Sequence, residues 1–506
     1  MTLLKTAMIT ALMGATAITA APAMAKDLRI ALQSDADVLD PDQSRTFVGR
    51  IVYASLCDKL VDITPDLEII PQLATAWETS ADGMAITMQL REGVVFHDGT
   101  PFNAEAVAAN IARSQTLDES RRKSELESIT GTEVTGEYEI VLTLAAPDAT
   151  LMAQLADRAG MMVSPTAAEA AGADFGLNPV CSGAFSFTER VAQDKIVLTK
   201  FSDYWNADAI SFDSVTFLPI PDTTVRLANL QSGDIDMIER LAATDLPQIT
   251  GNADLTVDSA VSLGYQGITF NLANGERGDN PWGNDKRLRQ ALSHAIDREV
   301  INQVVFEGAF AAGNQSFPPT SPWYNTNFPV PARDVEKAKA LLAEAGFPDG
   351  LDLEVQVPNT TVQLQLMQVV QAMASEAGIR ITLASKEFAT LLEDQTAGSY
   401  TASQIGWSGR VDPDGNNHPF VTTNGGINDS KYSNPAIDEL LNDARIVSTT
   451  AERKAKYDEA MAIMLDELPR VFLYHEKWIW AFNNKLKGFV SYPDGMIRLE
   501  NVTWEE

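Results

Sequence analysis

Alternation of apolar and polar side chains marks the first recognisable elements of this chain. The alternation occupies Ala85–Arg91 and returns at Glu139–Leu144 and at Leu351–Val357. A period of two predicts strands with one buried face and one exposed face. Short apolar runs at Leu28–Leu32 and Ile379–Leu383 predict two further strands.

Apolar residues that recur every three or four positions predict helices between these strands. The clearest examples are Val48–Leu60, Lys286–Glu299 and Leu364–Ala377, of which the last has a glutamine-rich face. Asp334 marks the start of a further helix, Val335–Ala345, because an aspartate side chain can accept hydrogen bonds from the first free amides of a helix.

The order of the predicted elements divides the chain into two lobes. Residues 26–271 form a strand-rich α/β block, and residues 272–470 alternate helices with strands in the manner of βα units. Apolar runs within residues 471–506 predict strands that return the chain to the first lobe.

Two crossings between the lobes follow from this order. The first is predicted near Asn271–Gly275, where a stretch rich in Gly, Asn and Asp begins, and the second near Arg470–Lys477. We expect both crossings to act as hinges. Two lobes joined in this way form a cleft, and clefts at domain junctions are favoured ligand sites.

The net charge of the chain argues against some classes of function. The chain has 506 residues, of which 45% are hydrophobic, and a formal net charge of −31. Such an excess of acid argues against nucleic-acid binding, which needs a basic footprint, and against docking on anionic lipid. It does not imply a cationic ligand, because a spread negative surface mainly promotes solubility.

Residues 1–25 have the pattern of a signal peptide. Lys5 precedes a run of Ala, Leu, Ile and Met that ends in Ala23-Met24-Ala25, and this combination is typical of export and cleavage. No cysteine follows the run, so we expect no lipid anchor. No other stretch approaches the ~18 apolar residues of a membrane span. The mature chain is expected to begin near Lys26 and to be soluble in a bacterial periplasm.

The two cysteines, Cys57 and Cys181, are far apart in the sequence. In an oxidising compartment such a pair is a plausible disulfide. Two buried free thiols are the alternative. The pair alone cannot form a zinc site, which takes four ligands.

The stretch Gln404–Asn417 (QIGWSGRVDPDGNN) concentrates the chemistry of a binding site. A short apolar run ends in Trp407, and Arg410 and two aspartates follow within a few positions. The sequence predicts a loop here, and loops held by rigid scaffolds commonly carry binding residues. An ordinary surface turn, which proline and glycine alone would form, is the alternative.

Several segments spread over nearly the whole mature chain carry a family resemblance. They are PQLATAWETSADGMAITMQLREGVVFHDGTPFNAEAV (Pro71–Val107), RLRQALSHAIDRE (Arg287–Glu299) after Phe270-Asn271, EKAKALLAEAGFPDG (Glu336–Gly350) and the GWSG block Gly406–Gly409. Together they resemble the extracytoplasmic solute-binding proteins of ABC transporters, in the peptide/nickel (family 5) class.

The resemblance implies an α/β fold of the periplasmic-binding-protein type II kind. In that fold two lobes close around a ligand, and the discontinuous first lobe carries an extra subdomain, here at about residues 50–180. The resemblance also implies delivery of a small-molecule or peptide ligand to the transmembrane subunits of an ABC permease. We expect a monomer that needs no cofactor.

The resemblance places the ligand site beside Trp407. In the dipeptide- and oligopeptide-binding members, an aspartate three positions after this tryptophan pairs with the free ammonium of the peptide; here the position holds Arg410. The dipeptide binders also hold the peptide carboxylate with an arginine near the start of the helix matching Leu364–Ala377, where this chain reads Val362-Gln363-Leu364-Gln365. A zwitterionic dipeptide would meet the wrong partner at both ends, and burying an unpaired charge costs several kcal/mol.

Arg410 is therefore the predicted receptor of an anionic group such as a carboxylate, which a guanidinium binds through two parallel hydrogen bonds. Asp412 would then hold a cationic or hydroxyl group of the ligand, or orient Arg410. The competing interpretation is a salt bridge from Arg410 to the acidic loop Asp35–Asp40 that closes the lobes.

Five further positions complete the predicted ligand site. Trp407 and Phe388 would form apolar walls, since Phe388 stands where the peptide binders keep a tryptophan of the site wall. Asp35 and Ala36 lie where the first loop of the family reaches the ligand, and Tyr265 precedes the crossing strand.

An enzyme is the main rival class, with a secreted hydrolase as its distant form. The four histidines are scattered, and Gly406–Gly409 lacks the spacing of a nucleophile elbow. A calcium loop that starts at Asp412 fails at Asn417 and Thr423, where glycine and glutamate would be needed. No cluster of His, Met or Cys marks a metal site. An ordinary di- or oligopeptide-binding protein for peptide uptake stays the nearer alternative.

Overall fold

Two large sheets form the cores of two lobes, and a smaller sheet forms a subdomain. The computed structural model describes residues 26–447 and 449–505, so the predicted signal peptide at residues 1–25 lies outside the described residues. We call the seven-stranded sheet the lobe I sheet, the six-stranded sheet the lobe II sheet, and the four-stranded sheet the subdomain sheet.

The lobe I sheet is mixed and takes strands from both ends of the described chain. Asp27–Leu32 lies parallel to Ser214–Pro219 and to Met237–Ile238, while Lys477–Asn483 runs antiparallel to Met237–Ile238 and to Leu255–Val261. In spatial order the strands are Leu255–Val261, Lys477–Asn483, Met237–Ile238, Asp27–Leu32, Ser214–Pro219, Lys195–Lys200 and Phe185–Val191.

The lobe II sheet has a fully buried strand at its centre. Tyr265–Phe270 is buried along its whole length, and it pairs antiparallel with Arg470–His475 on one side and with Ala402–Trp407 on the other. In spatial order the strands are Ala311–Ala312, Arg470–His475, Tyr265–Phe270, Ala402–Trp407, Leu351–Pro358 and Ile379–Lys386.

Sheet membership places the first crossing earlier than the predicted Asn271–Gly275. Leu255–Val261 belongs to the lobe I sheet and Tyr265–Phe270 to the lobe II sheet, so the chain crosses at residues 262–264. The return lies between Arg470–His475 and Lys477–Asn483, within the predicted second crossing but after residue 470. Residues 265–271 and 471–475 thus pack in lobe II and not in lobe I.

The subdomain sheet is antiparallel and covers a separate apolar cluster. Its strands, in spatial order, are Ala74–Thr79, Ala85–Leu90, Glu139–Leu144 and Ile129–Gly136. Two small hairpin-like pairs accompany the larger sheets: Val61–Ile63 with Ile69–Pro71, and Leu486–Lys487 with Thr503–Trp504. Cys57, directly after the first helix, forms a disulfide with Cys181, which is 124 positions away.

The helices pack around these sheets. In lobe I and its subdomain they are Phe47–Leu56, Ala104–Thr116, Leu151–Leu155, Pro165–Ala171, Thr223–Ser232 and Leu246–Thr250. In lobe II they are Pro281–Asn284, Lys286–Ala295, Arg298–Phe306, Val335–Glu344, Thr361–Ser375, Phe388–Thr396, Asp414–Val421, Pro435–Ile446 and Thr450–Glu467. Short 3-10 turns occupy Lys123–Glu125, Arg158–Gly160, Gly172–Leu177, Ala207–Ala209, Ala243–Asp245 and Glu276–Gly278.

One helix prediction and one loop prediction need correction. The stretch predicted as one helix, Lys286–Glu299, is two helices, because the side chain of Asp297 accepts a hydrogen bond from the amide of Val300 and starts a second helix. The stretch predicted as a loop after Trp407 becomes helical at Asp414. Within the described ranges, no helix combines the length and the apolar character that a membrane span requires.

Candidate functional site

A cleft of about 870 Å³, part of it open to solvent, lies between the two lobes. Lobe I contributes residues that follow its first strand, together with the first turn of the helix Phe47–Leu56. Lobe II contributes the end of the strand Ala402–Trp407 and the first residues of the helices Thr361–Ser375 and Phe388–Thr396. Both lobes therefore reach one enclosed space, which is where a captured solute would contact them together.

The charged residues that line this cleft are arginines, although the chain as a whole is strongly negative, and each of these arginines also pairs with a carboxylate that does not line the cleft. Arg45, Arg122, Arg158 and Arg240 line it, and none of the described residues that line it is an aspartate or a glutamate. The net charge of the chain is −31. Positive side chains concentrated in a low-dielectric cleft attract anions and hold them strongly.

Arg122 and Arg158 each keep a buried Nε donor that makes no hydrogen bond to the described residues. Arg122 donates to Glu125, and Arg158 donates to the carbonyl oxygen of Ser44 at 2.9 Å, but the Nε atom of each arginine has no hydrogen-bond partner among the described residues. Burial, together with the neighbouring Arg122 guanidinium, lowers the pKa of Arg158 to about 9. A nearby anion would offset this repulsion and favour the charged form.

Asp157 holds three of the buried arginines together. Its carboxylate pairs with Arg50, lies 3.2 Å from Nε of Arg410, and lies 3.8 Å from Nε of Arg158. Burial alone would raise the pKa of Asp157, but the three guanidinium groups, led by Arg410, hold this pKa well below its ordinary value. One carboxylate shared by three arginines leaves positive charge in excess beside the cleft.

Glutamine side chains form the polar floor of the cleft. Gln404 donates to Gln266 at 3.2 Å, and Gln266 donates to Glu476 at 3.0 Å. The Oε1 atoms of Gln404 and Gln363 accept no hydrogen bond from the described residues. Amide side chains both donate and accept, so this floor suits amide or hydroxyl groups of a ligand.

Aromatic rings supply the apolar walls. Trp407 and Phe388 line the cleft, as do Phe47 and Phe420. The ring of Trp407 contacts Phe420 edge to face at 4.8 Å, and its Nε1 donates to Asn416 at 3.1 Å. These contacts hold the tryptophan ring in its orientation towards the cleft.

Several contacts join the lobes across the cleft. Arg45 donates to Thr396 at 2.7 Å and pairs with Asp429, while Arg50 donates to Ser408 at 2.9 Å. The ion pair of Arg410 with Asp157 also joins lobe II to lobe I. The structure is therefore a closed form of the molecule.

Of the predicted site residues, Trp407 and Phe388 come together in the cleft. Arg410 lies directly behind them, with its guanidinium 4.1 Å from the centre of the Trp407 ring. Arg410 does not line the cleft, its side chain is only 5% exposed, and it pairs with Asp157 instead of facing an open space. Arg410 thus bridges the lobes as the competing interpretation expected, but its partner is Asp157 and not the loop Asp35–Asp40.

The other predicted residues lie outside the lining of the cleft. Asp412 accepts two hydrogen bonds from Arg453, at 2.8 and 2.6 Å, and does not orient Arg410. Asp35 pairs with Arg190 at 3.1 Å, and Ala36 belongs to the core of lobe I. Tyr265 is buried against Arg470 in lobe II.

The sequence patterns missed the arginines that do line the cleft. Arg45, Arg122 and Arg158 come from separate segments of lobe I and its subdomain, and each stands in an unremarkable local sequence. The fold alone brings them together. One indirect signal was present in the sequence. The arginine-containing pairs Arg121-Arg122 and Asp157-Arg158 lie in the subdomain of a chain that is otherwise rich in acidic residues.

No group of three or more His, Cys, Asp and Glu side chains that could hold a metal ion occurs in the described part of the chain. The donor set of the cleft consists of cations, amides and hydroxyls. Such groups bind anions and polar organic solutes.

Two lobes, an extra subdomain and an enclosed interlobe site define the class of periplasmic binding proteins. Residues 68–428 match the family described as bacterial extracellular solute-binding proteins, family 5, middle region, and the chain belongs to this family. This match confirms the family that the sequence motifs resemble.

Relatives and solved structures agree with this assignment. The glutathione-binding protein GsiB of Pectobacterium atrosepticum is 28% identical over 494 residues, or 95% of each chain, and that of Salmonella typhimurium is 29% identical over 493 residues, again 95% of each. The DppA protein of Helicobacter pylori, solved with the peptide STSA, has 25% identity and a TM-score of 0.86 over 95% of this chain and 98% of its own. The AgaA protein of A. tumefaciens R10, solved with agropinic acid, has 25% identity and a TM-score of 0.84 over 95% and 99%. These matches confirm the predicted fold class.

Proposed function

We propose that this chain is the ligand-capturing subunit of an ABC importer and that its ligand is a peptide-sized solute with an anionic group. One observation carries the ligand class: four arginines and no acidic residue line the interlobe cleft, within the described part of a chain of net charge −31. A cationic group placed beside these arginines would be repelled.

The anionic group belongs beside Arg122 and Arg158. Both line the cleft, both are about 1% exposed, and both keep an Nε donor without a hydrogen-bond partner among the described residues. A carboxylate could accept from two guanidinium groups at once, which is a strong, charge-assisted arrangement. Arg410 would affect this anionic group only indirectly, since it shares the carboxylate of Asp157 with Arg158.

The body of the ligand would lie between the aromatic walls and the glutamine floor. Trp407 and Phe388 offer flat apolar surfaces, and Gln266, Gln363 and Gln404 offer amides. This combination suits a carboxylate-bearing compound with amide or hydroxyl groups, such as an acylated peptide or an opine-like conjugate. The structure solved with agropinic acid supports this class, since that compound carries a carboxylate. Glutathione, for which several relatives are named, carries carboxylates and also a free ammonium, so its binding would distinguish this class from ordinary peptides.

An ordinary peptide-binding role is the second candidate. The DppA structure contains a peptide, and the amide-rich floor can pair with a peptide backbone. In that role the C-terminal carboxylate of the peptide would lie on Arg122 and Arg158, and its free ammonium would have to avoid the arginines. The two candidates differ in whether a free N-terminus is tolerated.

Capture would proceed by closure of the lobes. The ligand contacts both lobes and so shifts an open–closed equilibrium, with residues 262–264 and the return at residue 476 as hinges. We further propose export through cleavage before Lys26, a soluble periplasmic monomer without a lipid anchor or a catalytic role, and delivery to the transmembrane subunits of a permease.

A binding panel tests this proposal. Free di- to pentapeptides, N-acetylated peptides, glutathione and agropinic acid would be compared by thermal shift and calorimetry with residues 26–506. A ligand at ~100 times its dissociation constant adds about 2.7 kcal/mol of stability, which is readily measured. We expect carboxylates without a free N-terminus to bind most tightly.

Charge-removing variants make the test specific. Arg158→Gln and Arg122→Gln should each weaken binding by about 10- to 100-fold, as expected for a buried charge-assisted contact. Arg29→Gln is the matched control, because Arg29 pairs with Asp236 in lobe I away from the cleft. Tight binding of zwitterionic peptides that is unchanged in both cleft variants would overturn the anionic ligand class. An unchanged radius of gyration on ligand addition would count against closure.

A further inference from the structure

A pocket of about 1360 Å³, part of it open to solvent, lies on lobe II and is separate from the interlobe cleft. The helices Lys286–Ala295 and Arg298–Phe306, the strand Arg470–His475, residues 327–332 and the end of the helix Thr450–Glu467 contribute to it. We call it the lobe II pocket. Every described residue that lines it belongs to lobe II, and none of these residues lines the cleft. Its shape therefore does not depend on closure of the lobes.

Arg298 is a buried cation in this pocket that has no acidic partner. It lines the pocket and is only 2% exposed. The guanidinium donates to the carbonyl oxygens of Phe472 and Ser293, at 2.8 and 3.3 Å, and to the hydroxyl of Ser293 at 2.9 Å, but it forms no ion pair with the described residues. A guanidinium has more N–H donors than these three bonds use. Burial lowers the pKa of Arg298 to about 10, so the group is still charged at neutral pH, and a buried charge without a counter-ion is costly.

Lys337 and His294 reach the same pocket. Lys337 lines it from the first turn of the helix Val335–Glu344 and is exposed, while His294 is half-buried. Nδ1 of His294 is buried and has no hydrogen-bond partner among the described residues. Burial lowers the pKa of His294, and the nearby Lys337 lowers it further. An anion placed between these groups would offset their repulsion.

The acidic side chains around the pocket already have partners. Asp466 is the one acid among the described residues of the lining, and it pairs at 2.5 Å with Lys286, which does not line the pocket. Asp334 lies near His294, but its carboxylate caps a helix by accepting from the amide of Lys337 at 2.9 Å. An incoming anion would therefore meet Arg298 and Lys337 without an acid bound to either side chain.

Much of the remaining lining is apolar. Residues 328–331, which read Phe-Pro-Val-Pro, line the pocket together with Leu465. Asn314 holds this segment in place by donating to the carbonyl oxygens of Phe328 and Pro329, at 3.0 and 3.1 Å. Proline has no N–H group, so the segment offers a ligand an apolar surface with few competing donors.

We propose that the lobe II pocket is a second binding site for an organic carboxylate, with the charged end beside Arg298 and Lys337 and the apolar body against residues 328–331. A carboxylate would supply the counter-ion that Arg298 lacks, through a charge-assisted hydrogen bond, which is roughly twice as strong as a neutral one. This site does not depend on the function proposed for the cleft. Because its lining belongs to one lobe, the site would be available in open and closed forms alike.

A brominated probe can locate this site directly. The bromine of 4-bromophenylacetate is visible in crystals by anomalous scattering, and we expect it in the lobe II pocket beside residues 328–331. Calorimetry would use residues 26–506 carrying Arg122→Gln and Arg158→Gln, which weaken any binding in the cleft. The probe should still bind in this background, and the radius of gyration should not change. The neutral analogue 2-(4-bromophenyl)ethanol should bind about 10-fold more weakly, since it lacks the charge-assisted contact.

Two charge-changing variants test the recognition of the carboxylate. Lys337→Glu should weaken binding of the probe by about 10-fold or more, because it places a like charge beside the anion. Lys339→Glu is the matched control, since Lys339 lies on the same helix, makes the same change in charge and does not line the pocket. Arg298→Gln should reduce binding by about 100-fold. Melting temperatures would verify that each variant folds, and Lys337→Glu decides the question if Arg298→Gln does not fold.

Several outcomes would overturn this inference. Bromine found only in the cleft, or nowhere in the lobe II pocket, would exclude the second site. Equal affinities of Lys337→Glu and Lys339→Glu would show that the pocket does not recognise the charge, and equal binding of the neutral alcohol would show the same. Loss of binding when the cleft arginines are replaced would assign the probe to the cleft.

Discussion

His475 donates a hydrogen bond from Nδ1 to the carbonyl oxygen of Gly264 across 2.7 Å, and this bond ties the two interlobe crossings together. The backbone adds a second link, from the amide of Ser262 to the carbonyl oxygen of Glu476 at 3.1 Å. Gly264 also lies against the site, because a Cβ atom added there would lie 1.8 Å from the carbonyl oxygen of Trp407. The hinge and the wall of the cleft therefore share a backbone contact that only glycine permits.

The buried imidazole of His475 predicts loss of stability in acid. Burial lowers the pKa of His475 from 6.5 to about 4, so the unfolded chain binds a proton more readily than the folded one. Stability from this group is fully present above pH 6.5 and is lost as the pH falls towards 4. We expect a loss of about 2 kcal/mol between roughly pH 7.5 and 5 from this residue alone.

Urea unfolding of the wild type and of His475→Gln at these two pH values measures the effect. The variant keeps a side-chain donor for Gly264 but does not titrate, so its loss of stability between the two pH values should be smaller by about 2 kcal/mol. Equal losses in the two proteins would show that His475 does not cause the acid sensitivity.

Removal of the shared carboxylate should be costly. Asp157→Asn would leave Arg50, Arg158 and Arg410 without their common acid in a buried setting. Breaking a buried ion pair from one side typically costs about 3–5 kcal/mol. Asp352→Asn is the control, because Asp352 pairs with Arg380 at the surface, where a pair contributes less than about 1 kcal/mol. Unfolding free energies that fall equally in both variants would contradict a special role of Asp157.

Asp429 offers a test of lobe closure that leaves the cleft lining intact. It pairs across the lobes with Arg45 and does not itself line the cleft. Asp429→Asn should weaken ligand binding by about 3- to 10-fold, because closure then lacks one partly buried pair worth about 1 kcal/mol. Asp285→Asn, which loses a pair with Arg287 inside lobe II, should leave affinity unchanged. An unaltered affinity in Asp429→Asn, with the scattering change on ligand addition also unaltered, would argue against this contact as a closing element.

Reduction of the disulfide should destabilise lobe I. Cys57 and Cys181 close a loop with a sequence separation of 124 residues, and cross-links over long loops restrict the unfolded chain strongly. We expect a reductant to lower the unfolding free energy by about 2–5 kcal/mol. The double variant Cys57→Ala, Cys181→Ala should show a similar loss and no further response to reductant. Insensitivity of the wild type to full reduction would contradict this expectation.

Local sequence patterns predicted helices and strands well where the structure depends on neighbouring residues in the sequence. Asp334 caps its helix by accepting from the amide of Lys337, as expected from its position before Val335–Glu344. The strands at Ala85–Leu90 and Glu139–Leu144 are found where residues alternate, because one face of the subdomain sheet packs on the core.

The same patterns did not predict features that depend on contacts between distant segments. Tyr265–Phe270 is buried throughout, so its sequence carries no alternation that would show to which sheet it belongs, and the first crossing was predicted too late. Arg45, Arg122 and Arg158 meet only because separate segments fold onto one cleft. The anionic preference was predicted from Arg410, a residue that lies behind the site wall.

The excess of guanidinium groups around Asp157 also affects lobe closure in the ligand-free molecule. In the closed form Arg410 lies near Arg50 and Arg158 around the single carboxylate of Asp157. Like charges held so close together repel each other. The pairing of Arg410 with Asp157 favours closure, while its repulsion from Arg50 and Arg158 opposes closure, so the position of the lobes depends on the balance of the two. If the proposed function holds, an anionic ligand in the cleft would shift this balance towards the closed form, so that closure would depend on the charge of the ligand.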